Sequence, residues 1–477
     1  MKFGQTKDAV LYFLPSIISF LSILITLPLL TNKLDLEDFG YFYYCSLFVL
    51  FLGQLTTFGS SFSMTRYFHN KNLIEKKKFI SSILFLNLIV SFILTSFLFC
   101  YWESIVSFFF NEYEGSKLLQ KISICFALFI YGLQTFTSEV LTLEKKAKQF
   151  FFYTTIQSVV GSLVHIILII RTNLGVDILF IALFLSNISG LVFIVFVLLR
   201  FVWKNPDLNI IKGILSEYKV IFANIIENAS NFIERILIIN SLGNDKFALF
   251  SHSKSYEKFI LNTSTAINRS IWSDSLSDFK KNNSFDLCID AVKIINIIYL
   301  LGGIFFATIG KDFLALISND KFTEASNFAC LWFLIGLFKQ TNILNTIVIH
   351  LDGKGSSLAN MIHIEKIILI GVFVLSLNYW GVYGLFLSYI LSVIFPKIYI
   401  FNKARILKNI PFIEKQIIPS FFIIIFTLVI SFFFGETFYI RLLIFLFSLM
   451  IIIIIYINDI LGLISYIKKN SPSHKHD

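Results

Sequence analysis

The sequence predicts an all-α integral membrane protein with about 14 transmembrane helices. Hydrophobic residues make up 56% of the chain and the mean hydropathy is +0.78, both above the values of soluble domains. Fourteen apolar stretches each have about the 20 residues that a helix needs to cross a hydrocarbon core ~30 Å thick. The connections between them have about twenty residues at most, too few for a soluble catalytic domain. We therefore expect the function to lie among the helices, as it does in a transporter.

The apolar stretches define the predicted spans. In chain order they are residues 9–30, 40–61, 79–101, 118–141, 150–170, 177–199, 220–240, 247–268, 288–310, 325–349, 358–377, 380–396, 417–435 and 442–466. Span 8 is the most polar, since Ser, Thr, Asn, Lys and His occur throughout residues 251–265. Because a helix of that composition cannot face lipid, we expect it to line water or to pack against polar neighbours.

Positive charge is distributed unevenly over the predicted loops. With the N-terminus placed in the cytoplasm, the inside loops and the termini hold 26 of the 40 Lys and Arg residues, and the outside loops hold seven. This asymmetry follows the positive-inside rule and places both termini in the cytoplasm. We interpret the net charge of +10 as a topology signal and as attraction to anionic membrane lipids, not to nucleic acid.

The ends of spans 1 and 7 resemble each other. Residues 32–42 align without gaps to residues 240–250, with identical Asn, Leu and Phe residues. Since six spans return a chain to its starting side, a unit that restarts at span 7 would give two parallel repeats. We therefore predict two six-helix lobes around a central cavity, plus two C-terminal helices. The predicted domains are the lobes 1–205 and 206–405, followed by 406–477 with the added helices and a cytoplasmic tail.

Several short runs carry a family resemblance. They are Leu27-Pro28-Leu29-Leu30-Thr31-Asn32-Lys33-Leu34, Asp38-Phe39-Gly40-Tyr41, Phe58-Gly59, Thr65-Arg66-Tyr67-Phe68, Glu234-Arg235-Ile236-Leu237-Ile238 and Gly381-Val382-Tyr383-Gly384. Over residues 5–405 the chain resembles Wzx-type polysaccharide and O-antigen flippases, a branch of the multidrug/oligosaccharidyl-lipid/polysaccharide exporter superfamily. Glu234 departs from the usual Asp of that family and Ala248 from the usual Gly, which leaves the sub-family and the substrate open.

The resemblance implies a flippase of the bacterial cytoplasmic (inner) membrane. Its expected substrate is a polyprenyl-diphosphate-linked oligosaccharide, moved by alternating access. A proton or sodium ion and the polysaccharide polymerase machinery are further expected partners, and no cofactor is expected. Two alternatives stay open: a cation-coupled multidrug exporter of the same superfamily, and a flippase of the lipid II type. A membrane-embedded enzyme is disfavoured, because the outside segments are too short for a folded catalytic unit.

Ionisable residues inside the spans are the candidate site, because a charge at the bilayer centre costs about 2.5–3.5 kcal/mol. Lys254 and Lys258 lie on one stripe of span 8, four residues apart, and Arg235 lies in span 7. We predict that these cations bind a diphosphate head group, since Arg and Lys both bind phosphate. The alternative is that Glu234 and Glu257 neutralise them in internal ion pairs between helices.

Two sets of candidate residues follow. The predicted head-group ligands are Arg235, Lys254, Lys258, Arg66, Arg269 and Lys339, and the candidates for ion coupling are Glu227, Glu234, Glu257 and Glu139. Arg66 and Arg269 close spans 2 and 8, where cytoplasmic anchoring is the alternative role. Glu227 and Glu234 are seven residues apart and therefore share one helix face. No metal site is expected.

Overall fold

The computed structural model describes residues 3–57, 64, 73–109, 116–198, 205–215, 218–282, 285–318, 320–340, 355–407 and 414–469. Within these ranges every regular element is an α-helix. The helices are α1 (Phe3–Thr31), α2 (Leu36–Thr57), α3 (Leu73–Cys100), α4 (Trp102–Phe109), α5 (Lys117–Leu143), α6 (Ala147–Arg171), α7 (Asp177–Leu198), α8 (Leu208–Leu215), α9 (Tyr218–Asn282), α10 (Asp286–Thr308), α11 (Gly310–Ser318), α12 (Ala325–Gln340), α13 (Gly355–Trp380), α14 (Val382–Leu407), α15 (Glu414–Phe434) and α16 (Phe438–Lys469).

These described helices include fourteen long segments, counting α9 as two arms on either side of Gly243. Each long segment contains most of one predicted span. Ten of the described helices are long and apolar enough to cross a membrane, and α12 and α15 contain shorter apolar stretches. The polar helix α9 is outside both groups. The prediction of an all-α membrane protein with about 14 transmembrane helices is confirmed.

The break in α9 depends on Gly243, whose φ is +84° and ψ 168°. This conformation is open to glycine and strained for residues with a Cβ. The break divides α9 into an arm α9a (218–242) and an arm α9b (244–282). Just past it, the carbonyl oxygen of Asn244 would lie 2.5 Å from a Cβ added to Gly40 of α2. The two segments that align in the sequence therefore contact each other.

Two compact units make up the chain. The N-terminal unit comprises Ile17–Ala248 and Gly355–Ile370, and the C-terminal unit comprises Met1–Ser16, Leu249–Lys354 and Gly371–Asp477. The chain passes between the units within α1, α9b and α13, so the units do not end at residues 205 and 405. The lobes 1–205 and 206–405 stay a prediction about the repeated segments of sequence.

Helix packing follows the same order inside each unit. In the N-terminal unit α5 packs against α3 and α7, and in the C-terminal unit α12 packs against α10 and α14. The first three helices contain spans 3, 4 and 6, and the second three contain spans 9, 10 and 12. Equivalent helices thus make equivalent contacts, as a parallel repeat requires. The short helices α4 and α11 also follow equivalent spans, although the sequence analysis treated both segments as loops.

The short helix α8 is tied to α3 by a salt bridge. Lys78 Nζ lies 2.7 Å from Asp207 Oδ2, and the Asp207 N–H donates to Ser82 Oγ at 2.8 Å. The Asn209 N–H in turn donates to Asp207 Oδ1 at 2.8 Å, so Asp207 caps the helix. The hydrogen bond from Lys78 is the main cause that holds the pKa of Asp207 below its ordinary value. This contact fixes the connection between spans 6 and 7.

Polar contacts fix the last two helices, α15 and α16, to the C-terminal unit. Asn296 of α10 donates to Ser420 Oγ at 3.0 Å and to Tyr456 Oη at 3.4 Å, and those two hydroxyls lie 2.5 Å apart. Arg441 binds both carboxylate oxygens of Asp312 in α11, at 2.6 and 2.8 Å. Hydrogen bonds of this kind hold helices together where the surrounding lipid offers no competing partner.

Candidate substrate site in the C-terminal unit

Helix α9b presents three ionisable side chains within one and a half turns. Lys254 is half-buried, Glu257 is 7% exposed, and Lys258 is exposed. The two lysines share one stripe because they are four residues apart. Helix α9b remains helical through this polar stretch. The side chains that contact these charged residues come from neighbouring helices of the C-terminal unit.

Lys254 and Lys339 converge on one tyrosine ring. Lys254 Nζ lies 4.5 Å from the centre of the Trp332 ring and 5.5 Å from that of Tyr389, and it donates to Tyr389 Oη at 3.4 Å. Lys339 Nζ, which comes from α12, lies 5.0 Å from the centre of the same Tyr389 ring. An aromatic face attracts a cation without cancelling its charge. Two lysine side chains from different helices thus lie against one aromatic ring.

Glu257 has its own support within this group. Tyr299 Oη of α10 donates to Glu257 Oε1 at 3.1 Å. Lys254 and Lys258 are neighbours of Glu257 along α9b, and Lys339 lies over the same Tyr389 ring as Lys254. We call these four ionisable residues, Lys254, Glu257, Lys258 and Lys339, the lysine cluster.

The aromatic residues around the lysine cluster form a rigid wall. Tyr389 is 1% exposed and Trp332 is 2% exposed, and their ring centres lie 4.8 Å apart in an edge-to-face arrangement. Tyr299 is fully buried and packs closely against α12, where a Cβ added to Gly336 would collide with its ring. These three aromatic residues were not among the predicted site residues. The available signal was the tryptophan, since the chain has five Trp but 57 Phe.

Arg235, a predicted head-group ligand, and Glu234, a candidate for ion coupling, lie in the N-terminal unit. Arg235 Nη1 lies 2.7 Å from Glu234 Oε1, and the two residues are 3% and 0% exposed. In a buried pair each charge is stabilised mainly by the other, because either charge alone would be costly to bury. This pair joins adjacent residues of one helix, whereas the alternative for Arg235 was an ion pair between helices. The role of Arg235 as a head-group ligand stays a prediction.

The remaining candidates are distributed over the chain. Glu227 of α9a and Glu139 of α5 are both half-buried side chains of the N-terminal unit. Arg66 lies outside the described residues, and Arg269 lies in α9b with its side chain outside them. The structure therefore brings together Lys254, Glu257, Lys258 and Lys339, and places Glu139, Glu227, Glu234 and Arg235 in the other unit.

A family model of polysaccharide biosynthesis proteins matches residues 6–269, more than half of the chain. The chain belongs to this family. The matched range includes most of the runs on which the resemblance to polysaccharide flippases was based, and that assignment is confirmed. Among the curated proteins, none matches this chain.

Several solved membrane transporters have the same fold. The lipid II flippase MurJ, in an inward closed conformation, has a TM-score of 0.63 at 15% identity, over 94% of this chain and 99% of that one. An inward-facing multidrug resistance MATE transporter of the MOP superfamily has a TM-score of 0.61 at 16% identity, over 83% and 97%. A MOP superfamily transporter from Pyrococcus furiosus, described as having a binding pocket of reverse polarity, has a TM-score of 0.64 at 14% identity, over 85% and 97%.

Family and fold together identify a multi-pass membrane protein that acts as a transporter or flippase in polysaccharide biosynthesis. The family and the structural neighbours are transporters or flippases, not enzymes. At identities below 20% the solved structures describe the fold alone. The substrate therefore has to be argued from the residues of this chain.

Proposed function

We propose that this protein flips a polyprenyl-diphosphate-linked oligosaccharide, a repeat unit of O-antigen, capsule or exopolysaccharide, from the inner to the outer leaflet of the bacterial cytoplasmic membrane. The observation that supports this substrate is the convergence of Lys254 and Lys339 on the Tyr389 ring. Ammonium groups are point charges that bind phosphate oxygens through charge-assisted hydrogen bonds. The lysine cluster, with three cations and one carboxylate, thus fits a diphosphate group.

The depth of the lysine cluster supports a substrate that crosses the membrane. Glu257 follows the break in α9 by 14 residues and Lys339 follows the start of α12 by 14 residues, so at a rise of about 1.5 Å per residue each lies ~20 Å along its helix. With both helices starting at the outer side, as in the predicted topology, this distance supports a position of the cluster within the hydrocarbon core. Charges at such a depth are costly and mark the sites of ligands or ions.

The net positive charge of the lysine cluster favours a diphosphate flippase over a multidrug exporter. An exporter of organic cations needs acidic groups where its ligand binds, whereas the lysine cluster has two more positive charges than negative ones. A flippase of the lipid II type remains the second candidate. It shares the diphosphate chemistry, and the lipid II flippase MurJ matches over 94% of this chain. The sugars attached to the diphosphate distinguish the two.

The driving ion belongs to the same proposal. We take a proton or a sodium ion as the coupling ion and Glu227 or Glu234 as its carrier, because the two carboxylates lie two turns apart in the membrane-spanning arm α9a. Glu227→Gln is expected to abolish the pH or sodium dependence of transport at normal expression. Transport by this variant that responds to both ions as the wild type does would contradict the assignment.

The substrate can be tested in cells that lack the protein. A membrane-impermeant periodate or lectin probe on right-side-out vesicles reports which face of the membrane carries lipid-linked oligosaccharide. We expect the intermediate to accumulate on the inner face and to return to the outer face when the gene is restored. A normal distribution together with new sensitivity to cationic drugs would move the assignment to a multidrug exporter.

A further inference from the structure

Glu257 is a negative charge inside a site proposed for an anion. It is 7% exposed and lies on α9b between Lys254 and Lys258, and Lys339 of α12 shares the Tyr389 ring with Lys254. A carboxylate in that position repels a phosphate through Coulomb interaction, and the low dielectric constant of the interior strengthens the repulsion. Its presence therefore lowers the affinity of the lysine cluster for a diphosphate.

Glu257 and Lys254 have separate aromatic supports. The hydroxyl of Tyr299 holds the carboxylate at 3.1 Å, and the backbone of α12 at Gly336 fixes the Tyr299 ring. Lys254 is supported by the Trp332 ring, at 4.5 Å from its centre. Tyr299 and Trp332 are each at most 2% exposed, so neither side can easily move towards the other. The carboxylate thus reduces the positive field without collapsing onto the ammonium groups.

The charges of the lysine cluster match those of the proposed ligand. Three lysines and one carboxylate leave two positive charges. A diphosphate that bridges a lipid and a sugar carries two negative charges, one on each phosphate. Without Glu257 the cluster would carry a third positive charge and would bind the head group more tightly. A transport site must bind its ligand strongly enough to load it and weakly enough to release it.

We propose that Glu257 is a built-in counter-anion, held by Tyr299, which lowers the affinity of the lysine cluster for the diphosphate so that the head group can leave. The inference rests on the proposed function for the identity of the diphosphate. It assigns to Glu257 a role in release, and to Tyr299 a positioning role, that the ion-coupling hypothesis did not include.

The test is equilibrium binding to the full-length protein in lipid nanodiscs, with a radiolabelled polyprenyl diphosphate and, in parallel, inorganic pyrophosphate. Glu257→Gln removes the charge and keeps an oxygen that accepts from Tyr299. We expect it to tighten the binding of the lipid diphosphate by at least tenfold, because a single phosphate charge about 10 Å away at an effective dielectric constant of about 20 already contributes roughly that factor. Dissociation, followed by dilution, is expected to slow by a similar factor. Glu436→Gln, in the exposed loop before α16, is the matched control.

A second variant separates this role from a structural one. Tyr299→Phe removes the hydroxyl that holds the carboxylate away from the lysines, so we expect weaker diphosphate binding, the opposite of Glu257→Gln. The double variant is expected to bind as tightly as Glu257→Gln alone, because a neutral side chain no longer needs the hydroxyl. A general loss of structure would instead weaken binding in all three variants.

The outcomes distinguish this inference from the proposed function. Unchanged or weaker binding by a folded Glu257→Gln variant would overturn the counter-anion. Tighter pyrophosphate binding by Glu257→Gln, with no binding of the lipid diphosphate to either protein, would support the counter-anion and contradict the lipid-linked substrate. Binding of neither ligand to either protein would overturn both.

Discussion

Removing the charge of Lys254 tests whether this residue contributes to the binding of the diphosphate or to the stability of the fold. Lys254→Met keeps an unbranched apolar side chain next to Trp332 and Tyr389 but loses the ammonium group. A charge-assisted hydrogen bond contributes about 1.5–3 kcal/mol, so Kd for a lipid diphosphate is expected to rise by about 10- to 150-fold. The variant also loses two cation–π contacts, at 4.5 and 5.5 Å, each worth about 0.5–1 kcal/mol or more when desolvated. The relief from burying a charge offsets part of that loss.

The assay measures both quantities on the same samples. Binding of the lipid diphosphate in nanodiscs gives Kd, and the thermal unfolding midpoint gives stability. Lys311→Met, an exposed cation of α11 in the same unit, is the control and is expected to change neither. Binding by Lys254→Met that equals the wild type would refute the reasoning. Parallel losses of stability and transport would support the alternative that internal ion pairs account for these lysines.

Three further predictions concern the fold of the two units. Gly243→Ala should lower the thermal unfolding midpoint, since its backbone conformation costs about 1–3 kcal/mol with a Cβ, whereas Gly213→Ala, in open space within α8, should not. Arg441→Lys should lower the midpoint too, because a lysine cannot make the two parallel bonds of 2.6 and 2.8 Å. Hydrogen exchange in α8 should stay slow until the pH falls through the lowered pKa of Asp207, and Lys78→Met should move the loss of protection to higher pH. The first prediction is contradicted if Gly243→Ala and Gly213→Ala have equal effects, and the second if Arg441→Lys leaves the midpoint unchanged. The third is contradicted if Lys78→Met shows the same exchange profile as the wild type.

Composition and charge were enough to predict the membrane fold, because apolar length is a local property of the sequence. The polar character of α9b could be predicted for the same reason, because it is evident from the residues of that helix alone. The short helices α4 and α11 were missed since they continue apolar runs directly after a long helix, with one residue between the two. The extent of the N-terminal unit depends on packing. Phe232 of α9a stacks on Phe51 of α2, with ring centres 5.1 Å apart, and such a contact has no signature in either segment.

The candidate site was predictable in part. Lys254, Glu257 and Lys258 are neighbours in the sequence, so their proximity follows from helix geometry. Lys339 comes from another helix, and its approach to the same tyrosine depends on how α12 and α14 pack. The supporting tyrosines were hidden because a chain with 17% aromatic residues gives no single Tyr a distinct signal, whereas Trp332 belongs to a rare residue type. Their role is evident from the structure, in which Lys254 lies over the Trp332 ring and both Lys254 and Lys339 lie over the Tyr389 ring.

The central claim is that this protein carries a lipid diphosphate by means of its lysine cluster. The most direct measurement is translocation by the purified protein in liposomes, with a polyprenyl-diphosphate-linked oligosaccharide whose sugar is detected by a membrane-impermeant lectin. We expect the wild type to move the substrate across the bilayer and the Lys254→Met/Lys339→Met variant, folded and reconstituted equally well, to move little. Equal translocation by both proteins, or transport of a cationic drug in place of the lipid, would contradict the account.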